Sequence, residues 1–590
     1  MKRLLLFVHF NKYDGLSDYI LYLLEHIKHI YSRIVFISNS VISEDQKIKV
    51  AKLCNAIILR ENKGYDFAAW KEGLLKETWD VLTQYDNVTL MNDTCFGPLF
   101  DIEPIYNRFE DQSLDFWGMT NCPYANNGMP GTNDAIPEHV QSYFICFKNK
   151  VLQSKVFRTF WENVQIETKV ENVIQKYETR LTGILGKTGF IYTTLYDTNI
   201  RTGITHHPDL ATWYPDLCIN NKVPFVKVKS FIRFPHPKYI LKLIQEKSEY
   251  PVSLIQDAIS DSYDPFTALL VCDKLIPARV NRELPETSLK IAVHLHVFYL
   301  DLFEQYFIYF DSFLFNFDLF ITTDTLEKSK EISDCLESHV TAKKIKEIII
   351  TENRGRDIIP WLSIGDRLAD YDIVGHFHTK RSPVAEEWSG ITWQQEINDL
   401  LLRPINEIVN IFNTNSKIGI IIPELPFIFH IPIPLRFSYE KNMQVTMQGL
   451  WRKMECRKDI NFEVLMTPIM SCGTMFWYRP EALRRLFQLK ISMEEVPPEP
   501  LTIDGTLLHC IERIVVYLAW NEGFDYRIMV PESQKISGFV DNLMLNQQFV
   551  INEQLRNEKI MILRSRSYRL SRVLLVPLRV FRKIINFILK

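Results

Sequence analysis

One short string occurs twice in this chain, and the repeat limits the fold more than any other feature. Glu61-Asn62-Lys63-Gly64-Tyr65-Asp66, with Trp70 four residues on, returns as Glu352-Asn353-Arg354-Gly355-Arg356-Asp357, with Trp361 four residues on. Flanking strings return with it. Val8-His9 matches Val293-His294, Ile37-Ser38 matches Ile321-Thr322, and Tyr85-Asp86-x-Val88 matches Tyr371-Asp372-x-Val374. In chain order the displacements are 285, 284, 291 and 286 residues. Four landmarks in one order at nearly one displacement mean a whole domain type used twice, and so long a period excludes a solenoid of short repeats. A chain of 590 residues has room for two such domains.

Within the first copy, short apolar runs alternate with stretches of helical spacing. Residues 4–10, 33–37, 56–59 and 87–91 have strand length and composition, and helical patterns separate them. Later come a strand over 140–147, a helix over 156–164 and a helix from 177 that ends at Gly189-Phe190. The second copy repeats this end: a strand over 474–478, then Glu512 leading to Gly523-Phe524, with eleven residues from Glu to Gly in both copies. Alternation of this kind predicts a doubly wound α/β sheet with ligands beyond the carboxyl ends of its strands. The expected domains are 1–235 and 286–550, joined by a helical connector over 236–285 and followed by a tail over 551–590.

Composition decides few further points. The chain is 46% hydrophobic and 24% charged, which is globular, and a net charge of −3 gives no reason to expect a nucleic-acid partner. Ten cysteines stand singly with no C-x-x-C pair, a usage that suits a reducing cytoplasm. The apolar start at Leu4 is too short for a signal peptide and is followed by Asn11-Lys12-Tyr13-Asp14, and no uncharged apolar run is long enough to span a membrane. From Arg564 onward there are eight basic residues and no acidic one, interleaved with large apolar residues such as Leu574, Phe581 and Ile585. That pattern predicts a basic amphipathic helix lying on an anionic membrane surface, kinked at Pro577.

The order of features resembles a GT-A glycosyltransferase domain, a Rossmann-like nucleotide-diphospho-sugar transferase, used twice. At whole-chain level, Arg60-Glu61-Asn62-Lys63-Gly64-Tyr65-Asp66-Phe67-Ala68-Ala69-Trp70, Met91-Asn92-Asp93-Thr94-Cys95-Phe96-Gly97-Pro98 and Gly375-His376-Phe377-His378-Thr379-Lys380-Arg381-Ser382 resemble the rhamnan synthesis protein F family. The resemblance implies transfer of L-rhamnose from dTDP-L-rhamnose to a growing lipid-linked oligosaccharide by a protein peripheral to the inner face of the plasma membrane. Teichoic-acid or capsule synthesis with another nucleotide sugar keeps the same fold, and a non-catalytic glycan-binding module is the rival of a different class.

Such chemistry needs charge to hold the departing diphosphate and a carboxylate to take the acceptor's proton. By the resemblance, Asp93 stands at the Asp-x-Asp metal position and would hold Mg2+ or Mn2+, although Asn92 replaces one aspartate. Glu178 and Glu512 stand at the position of the catalytic base. The expected donor site draws on His9, Asn39, Asn62, Lys63, Gly64, Asp66 and Asn92 in the first copy, and on Asn353, Arg354, Asp357, His378, Lys380 and Arg381 in the second. Asp66 can equally be a helix cap, Lys63 and Arg354 can face solvent, and Trp70 and Trp361 suit the core. His294, His296, His376 and His378 share one face of two strands, where hydrogen-bonded core histidines are commoner than metal ligands. Differing loops over a shared glutamate suggest two sites that make alternating linkages.

Overall fold

The computed structural model describes residues 1–200, 209–280, 287–337, 339–379, 387–429, 443–465, 467–499, 501–502 and 504–542. Lys380, Arg381 and the basic tail lie outside the described residues. The chain divides into unit 1, Met1–Asp273, and unit 2, Lys274–Lys590.

Unit 1 is built on β1 (Arg3–His9), β2 (Arg33–Ser38), β3 (Ala56–Leu59), β4 (Asn87–Asn92), β5 (Phe116–Cys122), β6 (Phe144–Lys148) and β7 (Tyr192–Tyr196). They lie in the order β3-β2-β1-β4-β6-β5-β7. Neighbours are parallel except at β6, which is antiparallel to both β4 and β5. Unit 2 repeats the plan with β8 (Ile291–His296), β9 (Asp318–Thr323), β10 (Ile345–Ile350), β11 (Ile373–His378), β12 (Ile418–Pro423), β13 (Phe476–Tyr478) and β14 (Asp525–Val530). Its order is β10-β9-β8-β11-β13-β12-β14, with β13 the antiparallel member. Each unit is a doubly wound α/β domain with one antiparallel strand inside a parallel sheet, and the repeated strand order shows the duplication independently of any string.

The strands read as continuous apolar runs because both faces of the sheet are covered. In β1, Leu5 and Phe7 join one core while Leu4, Leu6 and Val8 join the other, the period-two alternation of a strand. The stretch expected to connect the domains is shared between them. Helices Pro237–Lys247, Ser253–Ser262 and Pro265–Val271 bury Ile240, Leu243, Ile255 and Val271 in unit 1, and Leu275–Pro277 adds an edge strand beside β14.

The ladders move the correspondence between the copies. Lys2 donates its N–H to Asp86 at 2.6 Å and Lys290 donates to Asp372 at 2.6 Å, so Lys2 answers Lys290. The match of Val8-His9 to Val293-His294 is therefore three residues out of step, and that of Ile37-Ser38 to Ile321-Thr322 is one out. The strand expected over 140–147 is likewise not continuous: a turn interrupts it before β6. In the register the backbone fixes, His9 answers Val297, Ser38 answers Thr323, Asn92 answers His378 and Asp93 answers Thr379.

Candidate active site

Helix α1 (Tyr65–Glu77) follows β3 through the Glu-Asn-Lys-Gly loop. Gly64 is its N-cap at φ +78°, a left-handed conformation, and a Cβ there would meet the Ala68 Cβ at 2.6 Å and the Ile166 Cα at 3.2 Å. Only glycine lets this turn close. Asp66 is consequently not the cap; it lies in the first turn, where one carboxylate oxygen accepts from the Phe67 N–H at 2.9 Å and the other from the Asn92 amide at 3.0 Å. Trp70 belongs to the core, its indole N–H reaching the Leu6 and Met91 carbonyls.

Asn92 closes β4, and its carbonyl oxygen accepts from the N–H and the hydroxyl of Thr94. Its amide nitrogen is thereby turned to Asp66, a bond that an aspartate at this position could not give. The departure from Asp-x-Asp is thus an amide bridge that ties the end of β4 to the start of α1. Next to it, Asp93 accepts from the Phe10 N–H at 2.7 Å. Burial, and secondarily the charge of Glu178, push Asp66 up to about 6. Burial, with Asp66 adding to it, pushes Asp93 up to about 7. Two carboxylates within electrostatic reach of one another that resist ionisation make a place that a cation would stabilise.

Glu178 lies at the end of a π-helical turn, Ile174–Glu178, that runs into α2 (Thr179–Lys187). One of its oxygens accepts from the Ser142 hydroxyl at 2.7 Å and the Ser142 N–H at 3.3 Å, in the loop before β6. A π-turn inside a helix is a recurrent mark of functional positions. His9 is buried, pushed down to about 4 by burial, and bonded through Nδ1 to Ser38 at 3.0 Å, while its Nε2 has no hydrogen-bond partner among the described residues. Asn39 accepts from Arg60, whose guanidinium also binds Glu72 and the Lys63 carbonyl. Asn62 and Lys63 are exposed, and the Lys63 ammonium pairs with Glu61. The sequence reading missed Asp209 and Lys227, paired at 2.8 Å and brought to the same strand ends by segments with no motif of their own.

Unit 2 keeps the frame and changes the groups. Gly355 takes φ +84° before α3 (Ile358–Ser363), and Asp357 sits at its N-cap. Glu512 accepts from the Gly473 N–H at 2.7 Å in the loop before β13, the counterpart of the Glu178 bond. It lies in the second turn of α4 (Leu507–Asn521) rather than opening a helix. The Phe298 N–H donates at 3.0 Å to the Thr379 hydroxyl, as the Phe10 N–H does to Asp93. Thr379 is thus the acidic position without its acid. The His378 Nε2–H donates to the Gly473 carbonyl at 2.6 Å, and the ring lies 3.8 Å from Asp357. Arg354 turns inward to the Val496 carbonyl instead of facing the site, and Asn353 is exposed.

The histidines form a hydrogen-bonded layer: His294 meets His376 at 2.9 Å and Thr322 at 2.9 Å, and His296 meets Thr322 at 2.9 Å. Burial lowers the basicity of His294, His296 and His376, and Trp361 stacks on His376 at 4.7 Å. These bonds and stacks make the histidines a polar layer of the buried sheet. Among the described residues, no group of three or more His, Cys, Asp or Glu side chains is arranged to hold a metal ion. Two neighbouring carboxylates do fit Mg2+ or Mn2+ arriving with a diphosphate, since magnesium commonly takes one or two carboxylates and completes its shell with phosphate oxygens and water.

A sequence model of the family described as rhamnan synthesis protein F matches residues 34–524. The uncharacterized protein WxcX of Xanthomonas campestris pv. campestris (strain B100) is 32% identical over 227 residues, which is 38% of this chain and 30% of that protein. The uncharacterized protein y4gN of Sinorhizobium fredii (strain NBRC 101917 / NGR234) is 28% identical over 182 residues, 31% of this chain and 45% of that one. The matches thus span less than half the length of these relatives. Among solved structures, the glycosyltransferase GlyE of Streptococcus pneumoniae TIGR4 aligns over 65% of this chain and 87% of its own, at 10% identity and a TM-score of 0.24. Core-mannan synthase A of Aspergillus fumigatus, in its Mn/GDP form, aligns over 31% of this chain and 69% of its own, at 10% identity and a TM-score of 0.18.

Proposed function

The chain belongs to the rhamnan synthesis protein F family, and on that premise we propose that unit 1 is a glycosyltransferase site that moves L-rhamnose from dTDP-L-rhamnose to a lipid-linked oligosaccharide. The observation that carries the reading is the convergence of Asp66, Asn92, Asp93 and Glu178 at the carboxyl ends of β4 and its neighbours, where α/β sheets bind ligands. Asn92 and the Gly64 turn hold Asp66 in place. Asp93, anchored by the Phe10 N–H, and Asp66 would hold a Mg2+ or Mn2+ ion, whose charge would offset that of the diphosphate. Glu178 has one oxygen fixed by Ser142, which leaves the other to accept the proton of the attacking hydroxyl. Attack from the face opposite the departing diphosphate inverts the anomeric centre. His9, with its unbonded Nε2, and Asn39 lie at the ends of β1 and β2, where the nucleoside would rest.

Release of dTDP from dTDP-L-rhamnose with a rhamnoside acceptor tests the donor. Turnover with UDP-sugars and none with dTDP-rhamnose would replace rhamnan synthesis by the teichoic-acid or capsule reading. For unit 2, the retained Glu512 supports a second transfer with a different linkage. Thr379 in the place of Asp93 favours instead a module that binds the growing glycan without chemistry. The basic tail is proposed to hold the protein at an anionic membrane surface.

A further inference from the structure

We propose that Lys227 is a direct ligand of the donor's diphosphate in unit 1, held at that post by Asp209. The inference rests on the donor reading above and adds to it a basic side chain that neither the motifs nor the family resemblance supplies.

The site as read from the motifs carries too little positive charge. Asp66, Asp93 and Glu178 converge on it, and a diphosphate would bring further negative charge into the same space. The basic side chains of the motif loop do not answer that charge. Lys63 is exposed and paired with Glu61, and Arg60 is engaged by Glu72, Asn39 and the Lys63 carbonyl.

Lys227 comes from far along the chain. The two-residue strand Val226–Lys227 pairs antiparallel with Cys95–Phe96, so Lys227 stands across from Cys95, two residues past Asp93. The Val228 N–H, which donates to the Thr94 carbonyl at 2.9 Å, continues the clamp on the turn after Asp93. The ammonium meets Asp209 at 2.8 Å and lies over the Tyr143 ring at 5.8 Å, beside the Ser142 that fixes Glu178. Asp209 also accepts from the Gln141 amide at 2.9 Å and the Thr212 hydroxyl at 2.6 Å. Burial works against charge on both partners, yet their attraction keeps Asp209 ionised and Lys227 protonated, and Glu178 adds to the pull on Lys227.

A strut of this kind made only for stability would be a weak choice, because desolvation cancels much of what a buried ion pair gains. The pair is also not closed over: the Lys227 side chain is 16% exposed and that of Asp209 is 28% exposed. An ammonium has three donors, and the bond to Asp209 uses one. Lys227 thus presents a fixed positive charge beside the turn after Asp93, on the Glu178 side of the site, where a departing diphosphate gathers charge.

The test is calorimetric titration of the full chain, in magnesium buffer, with dTDP and separately with inorganic pyrophosphate. Two neutral variants are compared with the charge-keeping Lys227→Arg. Lys227→Gln keeps a donor to Asp209, and Lys227→Met with Asp209→Asn removes both charges together, so no buried charge is left unpaired. A lost charge-assisted contact is expected to weaken both ligands by about 10- to 100-fold, with Lys227→Arg losing much less. If either neutral variant folds with the parent's melting temperature and binds both ligands as the parent does, Lys227 is a strut and the inference falls. If the parent binds pyrophosphate but no dTDP, and the neutral variants lose pyrophosphate, Lys227 stands and the donor assignment falls. A parent that binds neither ligand overturns both.

Discussion

Replacing Asp93 by Asn should make unit 1 more stable at pH 8 while disabling it. Asp93 is held near pKa 7, mainly by burial and then by the neighbouring Asp66, against an ordinary value of about 3.9. The folded state therefore keeps a proton that the unfolded chain has lost between those two values. The sign follows: this group's contribution to stability is intact below about pH 4 and is lost as pH rises through 7. A rise from about 3.9 to about 7, at about 1.36 kcal/mol per pH unit, is worth about 4 kcal/mol. Solvent over the half-buried carboxylate reduces that to about 2 kcal/mol. Asn carries no charge at any pH, and its carbonyl oxygen can still accept from the Phe10 N–H, so it escapes the penalty without losing the bond. At about 2–4 °C per kcal/mol for a domain of this size, the unit 1 transition of Asp93→Asn should lie about 4–8 °C above the parent's at pH 8 and close to it at pH 4. Scanning calorimetry of the full chain at both pH values measures this. The same variant should lose most transfer activity and any Mg2+-induced rise in the parent's melting temperature. Equal shifts at both pH values, or a lower transition at pH 8, would refute the placement of a strained carboxylate at this strand end.

Glu178→Gln should slow transfer by about 10²- to 10⁴-fold, since the amide can still accept from Ser142 but cannot take a proton. If unit 2 also transfers, Glu512→Gln stalls on acceptors with the other terminal linkage and a mixture of the two mutants restores polymer; elongation at the parent's rate by Glu512→Gln makes unit 2 a binding module. Gly64→Ala should cost about 1–2 kcal/mol for the left-handed conformation alone, and more for the 2.6 Å approach to Ala68, seen as a lower unit 1 melting temperature; an unchanged transition would mean the loop takes another shape. Deleting residues 564–590 should release the protein from anionic vesicles, and salt should weaken binding of the intact chain; a truncated chain that sediments equally well would rule out the tail as the anchor.

The sheet and its duplication were legible because burial on both faces writes itself into the sequence as apolar runs, and because the Asn-x-Gly turn needs glycine for a steric reason that no other residue meets. What the strings could not supply is register. An apolar run such as 4–8 has no internal mark, so Val8-His9 and Val293-His294 could be matched three residues out of step. The backbone pairing of Lys2 with Asp86 and Lys290 with Asp372 removes the freedom. Once it does, His9 loses its histidine counterpart, and the four histidines of unit 2 answer Leu6, Val8, Leu90 and Asn92. Three of them therefore fill an apolar layer of the sheet, which explains why they bond to one another and to Thr322.

The corrected register also shows how the two copies diverged. Phe10 and Phe298 are the same residue at the same turn, each offering its N–H to the side chain at the end of the central strand. In unit 1 that side chain is a carboxylate that burial keeps short of full charge, next to a second carboxylate that an asparagine holds in reach. In unit 2 it is a hydroxyl that satisfies the same N–H at no electrostatic cost. A position that served only to tie the turn would gain from the threonine in both copies. Keeping the aspartate in unit 1 costs stability at neutral pH, a cost that the proposed cation at the strand ends would offset. The glutamates follow the opposite rule, since Glu178 and Glu512 each bond the loop before the antiparallel strand. That hold can be structural in both units, so on the proposed reading Asp93, more than Glu178, is the residue whose replacement should tell a transferring unit from a binding one.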